Sequence, residues 1–217
     1  MNESSLHAAL KRWYAVDGDK FEVKVGRYVV DIVRGTTLIE IQTGSFANAR
    51  AKLRALTVDH RIRLVYPVAK RKWIVKVSKR GKELSRNRSP RLGTVENVFD
   101  ELIMMPDLIG NPNFSLDVLL IEEEELRCHD GKGSWWRKGV STVDTRLVQV
   151  LGRVELHEPR DFLRFIPKEL PNPFTNAELA AATGVRRDLN HRITYCLRKA
   201  GLLREAGRRG LAFLFER

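Results

Sequence analysis

The chain is short of cysteine, of long apolar runs and of acid relative to base, and each deficit excludes something. Two cysteines in 217 residues, Cys128 and Cys196, cannot build a disulfide framework, so a reducing cytoplasm is the expected compartment. No stretch approaches the roughly 20 apolar residues that span a bilayer. The first residues, Met1 to His7, also lack the basic-then-apolar layout of a secretory signal, and no membrane partner is expected. No repeat period is visible, which argues against solenoids and propellers. Cys128-His129 stands without a second Cys or His pair at zinc-ligand spacing. Gly131-Lys132-Gly133-Ser134 lacks both the upstream Gly and the hydroxyl residue after Lys that a phosphate-binding P-loop needs. No Gly-x-Ser-x-Gly elbow occurs, and His7, His60 and His157 read as isolated, structural or solvated residues.

What the chain has in surplus is positive charge: 39 Lys and Arg against 27 Asp and Glu, a net +12. With 43% hydrophobic residues it can bury a core, so it reads as a folded basic protein whose natural partner is a polyanion, nucleic acid first.

Leu6, Ala9, Leu10 and Trp13 recur at helical spacing over residues 3–15. Three strands follow at Phe21–Val25, Tyr28–Val33 and Thr37–Gln42, then a helix carrying Phe46, Ala49, Leu53 and Leu56 behind a Ser45 cap. A fourth strand, Ile62–Tyr66, is expected to stop at Pro67, and Trp73–Val77 to form a fifth. Helix, meander, helix, strand is an α/β (α+β) order: a mixed sheet flanked by helices. Lys70–Arg91 reads as a mobile basic loop, Glu122–Glu125 as a solvated helix start, and Val143–Leu151 as a helix. The expected division is residues 1–80 as the α/β core, 81–170 as a basic loop and mixed extension, and 171–217 as a separate C-terminal unit behind Pro167, Pro171 and Pro173.

The sharpest feature is a pair of carboxylates inside apolar strands, Asp31 in Tyr28–Val33 and Glu40 in Leu38–Gln42. An ionised carboxylate is costly there unless something compensates it. A two-residue loop Arg34-Gly35 sets Asp31 diagonal to Glu40, and a four-residue loop sets them face to face. Either even loop leaves them roughly 5 to 8 Å apart at Cβ, whereas a three-residue loop puts them on opposite faces. Gln42 shares the face of Glu40. Close carboxylates repel unless a cation lies between them, and hard oxygen donors favour Mg²⁺ or Mn²⁺. The alternative is an ordinary sheet charge pattern in which Lys24, Arg27 or Arg34 pairs with them.

Asp31, eight intervening residues and then Glu40-Ile41-Gln42 resembles the core motif of the PD-(D/E)XK nuclease superfamily, in the variant with Gln in place of Lys. The resemblance covers about residues 1–77 and includes the order of elements; the Pro of the family name is absent, Val30 standing before Asp31. It implies a restriction-endonuclease-like sheet in which Asp31, Glu40 and the Ile41 carbonyl hold Mg²⁺ or Mn²⁺, with Glu3 on the first helix as a further ligand. Gln42 would orient the water that attacks a phosphodiester phosphorus. Because Gln42 brings no charge, electrostatic help would come from a second metal or an Arg.

Thr175-Asn176-Ala177-Glu178 forms a capping box, followed by a short helix, Gly184, a longer helix over Arg186–Ala200 and a hairpin whose tip is Gly207–Gly210. This resembles a winged helix and implies that Arg186, Arg187, His191 and Arg192 face nucleic acid while Arg208 and Arg209 tip the wing. Arg137 and Lys138, beside Trp135-Trp136, are further nucleic-acid candidates. The expected activity is a metal-dependent endonuclease acting on duplex or branched DNA in preference to RNA. A symmetric homodimer would suit a cutter of two strands. The alternative is a non-catalytic nucleic-acid-binding regulator on a nuclease-like scaffold.

Overall fold

The computed structural model describes residues 4–217, the side chain of Arg137 excepted. Helix α1 (Ser5–Tyr14) starts where the Ser4 hydroxyl accepts the His7 amide, and it buries Leu6, Leu10 and Tyr14 at successive turns. Trp13, expected on the inner face, is instead half exposed. Strands β1 (Lys20–Val25), β2 (Tyr28–Arg34) and β3 (Thr37–Ile41) form an antiparallel meander. Helix α2 (Phe46–Leu56), capped by Ser45, crosses over so that β4 (Arg61–Val77) runs parallel to β3. Strand β5 (Glu83–Arg88) folds back on the far half of β4. After the short helix α3 (Phe99–Leu102), β6 (Phe114–His129) lies parallel to β4 along nearly its whole length, and β7 (Val140–Leu156) turns back antiparallel to β6. The result is a seven-stranded mixed sheet in the order β1-β2-β3-β4-β6-β7, with β5 on β4.

Alternation along the strands sorts side chains to two faces. Leu116 and Val118 join Phe46, Leu53, Phe99 and Leu102 on the α2 face, while Leu119 and Ile121 join Leu6, Leu10, Ile39 and Ile41 under α1. The mixed α+β class expected from the sequence is therefore the observed one.

Four local expectations are corrected. Lys70–Arg91 is no loop: it is the far half of β4, a turn at Ser78–Lys82, and β5. Strand β4 runs straight through Pro67, because Pro67 falls in the gap between the end of β3 at Val65 and the start of β5 at Trp73. With no ladder partner on that edge, the missing proline amide forfeits no ladder bond. Val143–Leu151 and Glu122–Glu125 lie in strands β7 and β6 rather than helices. The acidic run is half-sheathed by cations from neighbouring strands. Lys72 Nζ lies 2.9 Å from Glu123 and 3.1 Å from Glu125, Arg86 2.7 Å from Glu124, and Arg127 2.7 Å from Glu125. Trp73 Nε1 and Gln149 Nε2 donate to Glu122 at 2.7 Å each. The three long strands β4, β6 and β7, with the short β5, thus extend past the core as an arm, stabilised by charge pairing and by a small cluster of Val75, Val77, Leu126 and Cys128.

The C-terminal segment comprises β8 (Phe174–Thr175), α4 (Asn176–Thr183), α5 (Arg187–Lys199), β9 (Arg204–Arg209) and β10 (Ala212–Glu216), with strand order β8-β10-β9. The Thr175–Glu178 capping box closes in both directions, at 2.7 and 3.2 Å. Leu189, Ile193, Cys196 and Leu197 of α5 pack into the same hydrophobic core as Phe99, Leu102 and Leu108, so that core is continuous across the boundary drawn at residue 171. Burial pushes the Cys196 thiol up to about 12, and both cysteines are free and buried.

Burial opposes ionisation of Glu125, yet Arg127, Lys72 and the Thr142 hydroxyl together hold its carboxyl down at about 2. A depressed carboxylate stabilises the fold above its unfolded value of about 4.3, and that contribution disappears as pH falls toward 2. Urea midpoints measured from pH 7 to 2.5 should therefore fall for the wild type. In Glu125→Gln the profile should be flatter and the neutral-pH stability lower by on the order of 2–3 kcal/mol.

Candidate functional site

The site begins with a tight turn. Strands β2 and β3 pair Arg34 with Thr37, Val33 with Leu38 and Ile32 with Ile39, leaving Gly35-Thr36 as a two-residue connection. Gly35 adopts φ 55°, the left-handed backbone such a turn requires at its first residue. The ladder ends at Ile32–Ile39, with Asp31 and Glu40 just beyond its last pair and close enough for the charge of Asp31 to act on Glu40. The ladder stops there because Asp31 Oδ2 takes the Ile41 amide at 2.8 Å. On the other side, the β1–β2 pairing steps from Phe21–Ile32 to Val23–Val30 past Glu22, whose φ of 52° is unusual for a residue with a side chain. The backbone on one flank of Asp31 is thus bent, and the ladder on the other is replaced by a carboxylate contact.

Each helix face sends one side chain to the pair. From α1, His7 Nε2 lies 3.2 Å from Asp31 Oδ2. From α2, Lys52 Nζ lies 2.5 Å from Glu40 Oε1 and donates at 2.5 Å to the Val29 carbonyl. Arg34 is committed to Asp19 at 2.7 Å and Arg27 to the Tyr28 hydroxyl, so neither supplies the compensating charge. Burial would raise Asp31, but His7, the Ile41 amide and Lys52 outweigh it and hold Asp31 below the usual carboxylate range. Glu40 moves the other way: burial and the charge of Asp31 raise it, only partly offset by Lys52 and the Asp31 amide. Two neighbouring carboxyls with pKa values pushed apart are a recurring signature of functional sites.

Glu40 Oε2 is buried and has no hydrogen-bond partner among the described residues. Among the described residues, both hydrogen bonds of the Asp31 carboxylate fall on Oδ2. An orphaned buried carboxylate oxygen beside a second carboxylate suits a hard divalent cation, so the residues present fit Mg²⁺ or Mn²⁺. The Ile41 contact at the site is its amide, donated to Asp31, rather than the carbonyl implied by the resemblance. Glu3 lies outside the described residues. Gln42 sits at the end of β3, where its Nε2 donates to the Ser45 carbonyl at 2.9 Å and so ties the strand to the start of α2. Lys52 and His7 were missed by sequence reasoning. Lys52 is flanked by Ala49 and Leu53 on the inward side of α2, and His7 follows the buried Leu6, positions where a polar side chain reaches under its helix.

A second carboxylate cluster lies under α1. Ligand-type atoms of Asp117, Glu155 and His157 come within 4.8 Å of one another. Asp117 is fully buried, with Oδ1 taken by His157 at 3.0 Å and Oδ2 by Arg153 at 2.7 Å and by the Tyr14 hydroxyl. Arg153 also lies 2.9 Å from Glu155. Burial and Asp117 push the Tyr14 hydroxyl up to about 12. Both Asp117 oxygens are filled and a cation is built in, so this cluster reads as a buried ion network that fastens α1 to β6 and β7. His157, read from sequence as isolated, is part of it.

The basic residues proposed to face nucleic acid divide. Arg186, which caps the start of α5, and Arg187 and His191 on the helix are exposed, although Arg186 lies 3.6 Å from Asp188 and His191 contacts Asn176 at 3.2 Å. Arg192 points back onto the core, 2.5 Å from Asp100. Arg208 and Arg209 sit in β9 rather than at the tip, the turn falling at Gly210-Leu211; Arg208 stacks on Phe213 and Arg209 lies 2.7 Å from Glu178. Lys138 is exposed on the loop between β6 and β7, and the Arg137 side chain lies outside the described residues.

A mixed α+β protein with a pair of close carboxylates on its inner strands β2 and β3 is the class these features define. The family model of a domain of unknown function, DUF8091, matches residues 4–157, and the chain belongs to that family. The matched region runs from α1 to the end of β7 and so holds both carboxylate clusters, whereas α4, α5 and the C-terminal hairpin lie beyond it. An uncharacterized protein of Treponema pallidum (strain Nichols) is 28% identical over 216 residues, covering 99% of this chain and 85% of that protein. No solved structure matches.

If Lys52 is the counter-charge of Glu40, Lys52→Met should strand a buried carboxylate and lower stability by about 3–5 kcal/mol. The raised pKa of Glu40 means the loss should be largest at neutral pH and shrink as acid protonates Glu40. The double variant Lys52→Met/Glu40→Gln should recover most of it. Strictly additive urea midpoints would contradict the pairing.

Proposed function

We propose that the protein is a metal-dependent phosphodiesterase that cleaves nucleic acid at Asp31 and Glu40. The observation that carries this reading is the unpartnered, buried Glu40 Oε2 beside the ionised Asp31. Mg²⁺ or Mn²⁺ bound there would supply Lewis acidity toward a phosphate oxygen and make water easier to deprotonate at neutral pH. The protein's own groups have separate tasks. Asp31, held in place by the Ile41 amide, keeps a fixed negative charge at the site. Glu40 contributes the second carboxylate once ionised, and Lys52 limits the repulsion between them and offers positive charge where a phosphate would gather negative charge. His7, at 3.2 Å from Asp31, positions that carboxylate. Gln42 fixes the end of β3 against α2 and thereby the orientation of Glu40.

Lys52 answers the difficulty raised by the neutral Gln42, since the cation comes from α2 instead of the strand. The surplus of +12 supports a polyanionic substrate. The C-terminal helix pair and hairpin follow a winged-helix order, and the exposed Arg186 and Arg187 at the start of α5 suit phosphate contacts with duplex DNA. Two free buried cysteines accord with a cytoplasmic location.

The wild-type protein should nick or cleave duplex or branched DNA when Mg²⁺ or Mn²⁺ is supplied and not in chelator. Activity should rise with pH through the raised ionisation range of Glu40. Asp31→Asn and Glu40→Gln should each abolish cleavage, by at least roughly a hundredfold, while binding is retained. Tight, salt-sensitive binding without cleavage of DNA or RNA under either metal would establish the non-catalytic regulator instead.

A further inference from the structure

We infer that the distal end of the β4–β7 arm is a stacking site for unpaired bases, which makes the substrate a nucleic acid carrying a single-stranded tail or branch. Because β4 and β6 are parallel and Val77 pairs with Cys128, the turn closing β4–β5 and the loop closing β6–β7 emerge side by side at the same end. That end carries Trp135 and Trp136, which are 80% and 85% exposed. Their rings meet edge to face, 4.6 Å between centroids and 76° between planes, so the outer face of each indole is open. Two large aromatic side chains left so far in water are unusual for a surface with no ligand.

The loop that presents them is closed on itself rather than slack. The Gly131 amide bonds the Gly139 carbonyl at 3.0 Å, and Asp130 accepts the Lys132 amide at 2.9 Å and the Ser141 hydroxyl at 2.9 Å. Gly133 passes so near the Val140 backbone that a Cβ would come within 2.1 Å of its carbonyl oxygen. Packing of this kind leaves the tryptophans only an outward course.

Charge selects the partner. Lys79, Arg80 and Lys82 on the neighbouring turn and Lys132 and Lys138 on the loop lie at the same end of the arm as the indoles and are exposed. Glu122–Glu125 neutralise cations of the arm's middle, but among the described residues no ion pair falls on Lys70, Lys76 or Arg91, which continue the positive surface back toward the core. Because the cations do not stop at the tip but run back along the arm, this cationic track with aromatic platforms at its end fits a phosphate backbone with splayed bases. The arm also leaves the sheet where the carboxylate site lies, since Ile41 pairs with Val65 and β4 then runs on to Val77. At about 3.3 Å per residue these twelve steps place the aromatic end up to about 40 Å from Glu40. That is roughly a dozen base pairs of duplex.

The inference rests on the nucleic-acid reading of the carboxylate site for its placement of the cut, but its test is a binding measurement in chelator, where no cleavage is involved. The full-length protein is titrated with a fluorescein-labelled blunt DNA duplex longer than the arm and with the same duplex bearing a short single-stranded tail. The tailed duplex should bind roughly tenfold more tightly and quench tryptophan fluorescence. Trp135→Ala/Trp136→Ala should erase that preference and leave blunt-duplex affinity unchanged, while Trp135→Phe/Trp136→Phe should retain most of it. Equal affinity for the two DNAs, or a preference that survives the alanine pair, overturns the inference. So does binding to phosphatidylglycerol vesicles with a blue shift of the tryptophan emission when no tail preference is seen. A tail preference in a protein that never cleaves would sink the hydrolase reading and leave this one standing; cleavage without tail preference would do the reverse.

Discussion

The register of one hairpin governs the rest of the molecule. With Gly35-Thr36 as a two-residue turn, β2 and β3 bring Asp31 and Glu40 close together just past their last ladder pair, inside a covered sheet. Two carboxylates in that position repel and resist burial, so the fold must answer them. It does so from both faces, with His7 of α1 on Asp31 and Lys52 of α2 on Glu40. A slip of one residue would turn Glu40 under α1 and Ile39 and Ile41 toward α2, unseating both helices. The compensation is incomplete: Glu40 Oε2 stays without a partner, and Glu40 stays hard to ionise. A site in which protein groups satisfy most of the charge and leave one oxygen over is better suited to ligand binding than to stability alone.

The same separation of charge recurs on a larger scale. Acidic groups lie inside, as Asp117 under α1 and as Glu122, Glu123 and Glu125 within β6, each enclosed by cations. Basic groups lie outside, along the arm and on α5. The +12 surplus is therefore a surface property, while the buried acids act as internal struts: Asp117 binds α1 to β7 through Tyr14 and Arg153, and the acidic strand lets three long polar strands and the short β5 pack as an arm with only a small apolar cluster of their own.

What could be read from the sequence followed local periodicity. The meander, α1, α2 and the capped pair α4–α5 carry clear apolar spacing and caps, and their expected bounds lie within a few residues of the observed ones. Asp31 and Glu40 stood out because each interrupts a run of Val and Ile. The arm was not legible in the same way. Glu122–Glu125 has no apolar alternation, since its stabilising partners are Lys72, Arg86 and Arg127 on β4, β5 and β6 itself, cations that sequence spacing does not bring together. Pro67 looked like a strand end because nothing local reveals that β3 and β5 leave a gap opposite it. Lys52, His7 and Asp117 were illegible for a related reason: each acquires its role from a partner on another element, and a polar residue at a helix's inner margin looks the same in sequence whether or not a carboxylate lies beneath it.

The central claim is that Asp31 and Glu40 together hold a divalent cation. The most direct measurement is a crystal structure of the protein grown with Mn²⁺ and recorded at a wavelength where manganese scatters anomalously. The account predicts an anomalous peak about 2.0–2.3 Å from Glu40 Oε2 and from an Asp31 carboxylate oxygen, with Lys52 still near Glu40. A peak confined to Asp117, Glu155 and His157, or none at either carboxylate cluster at saturating Mn²⁺, would contradict it.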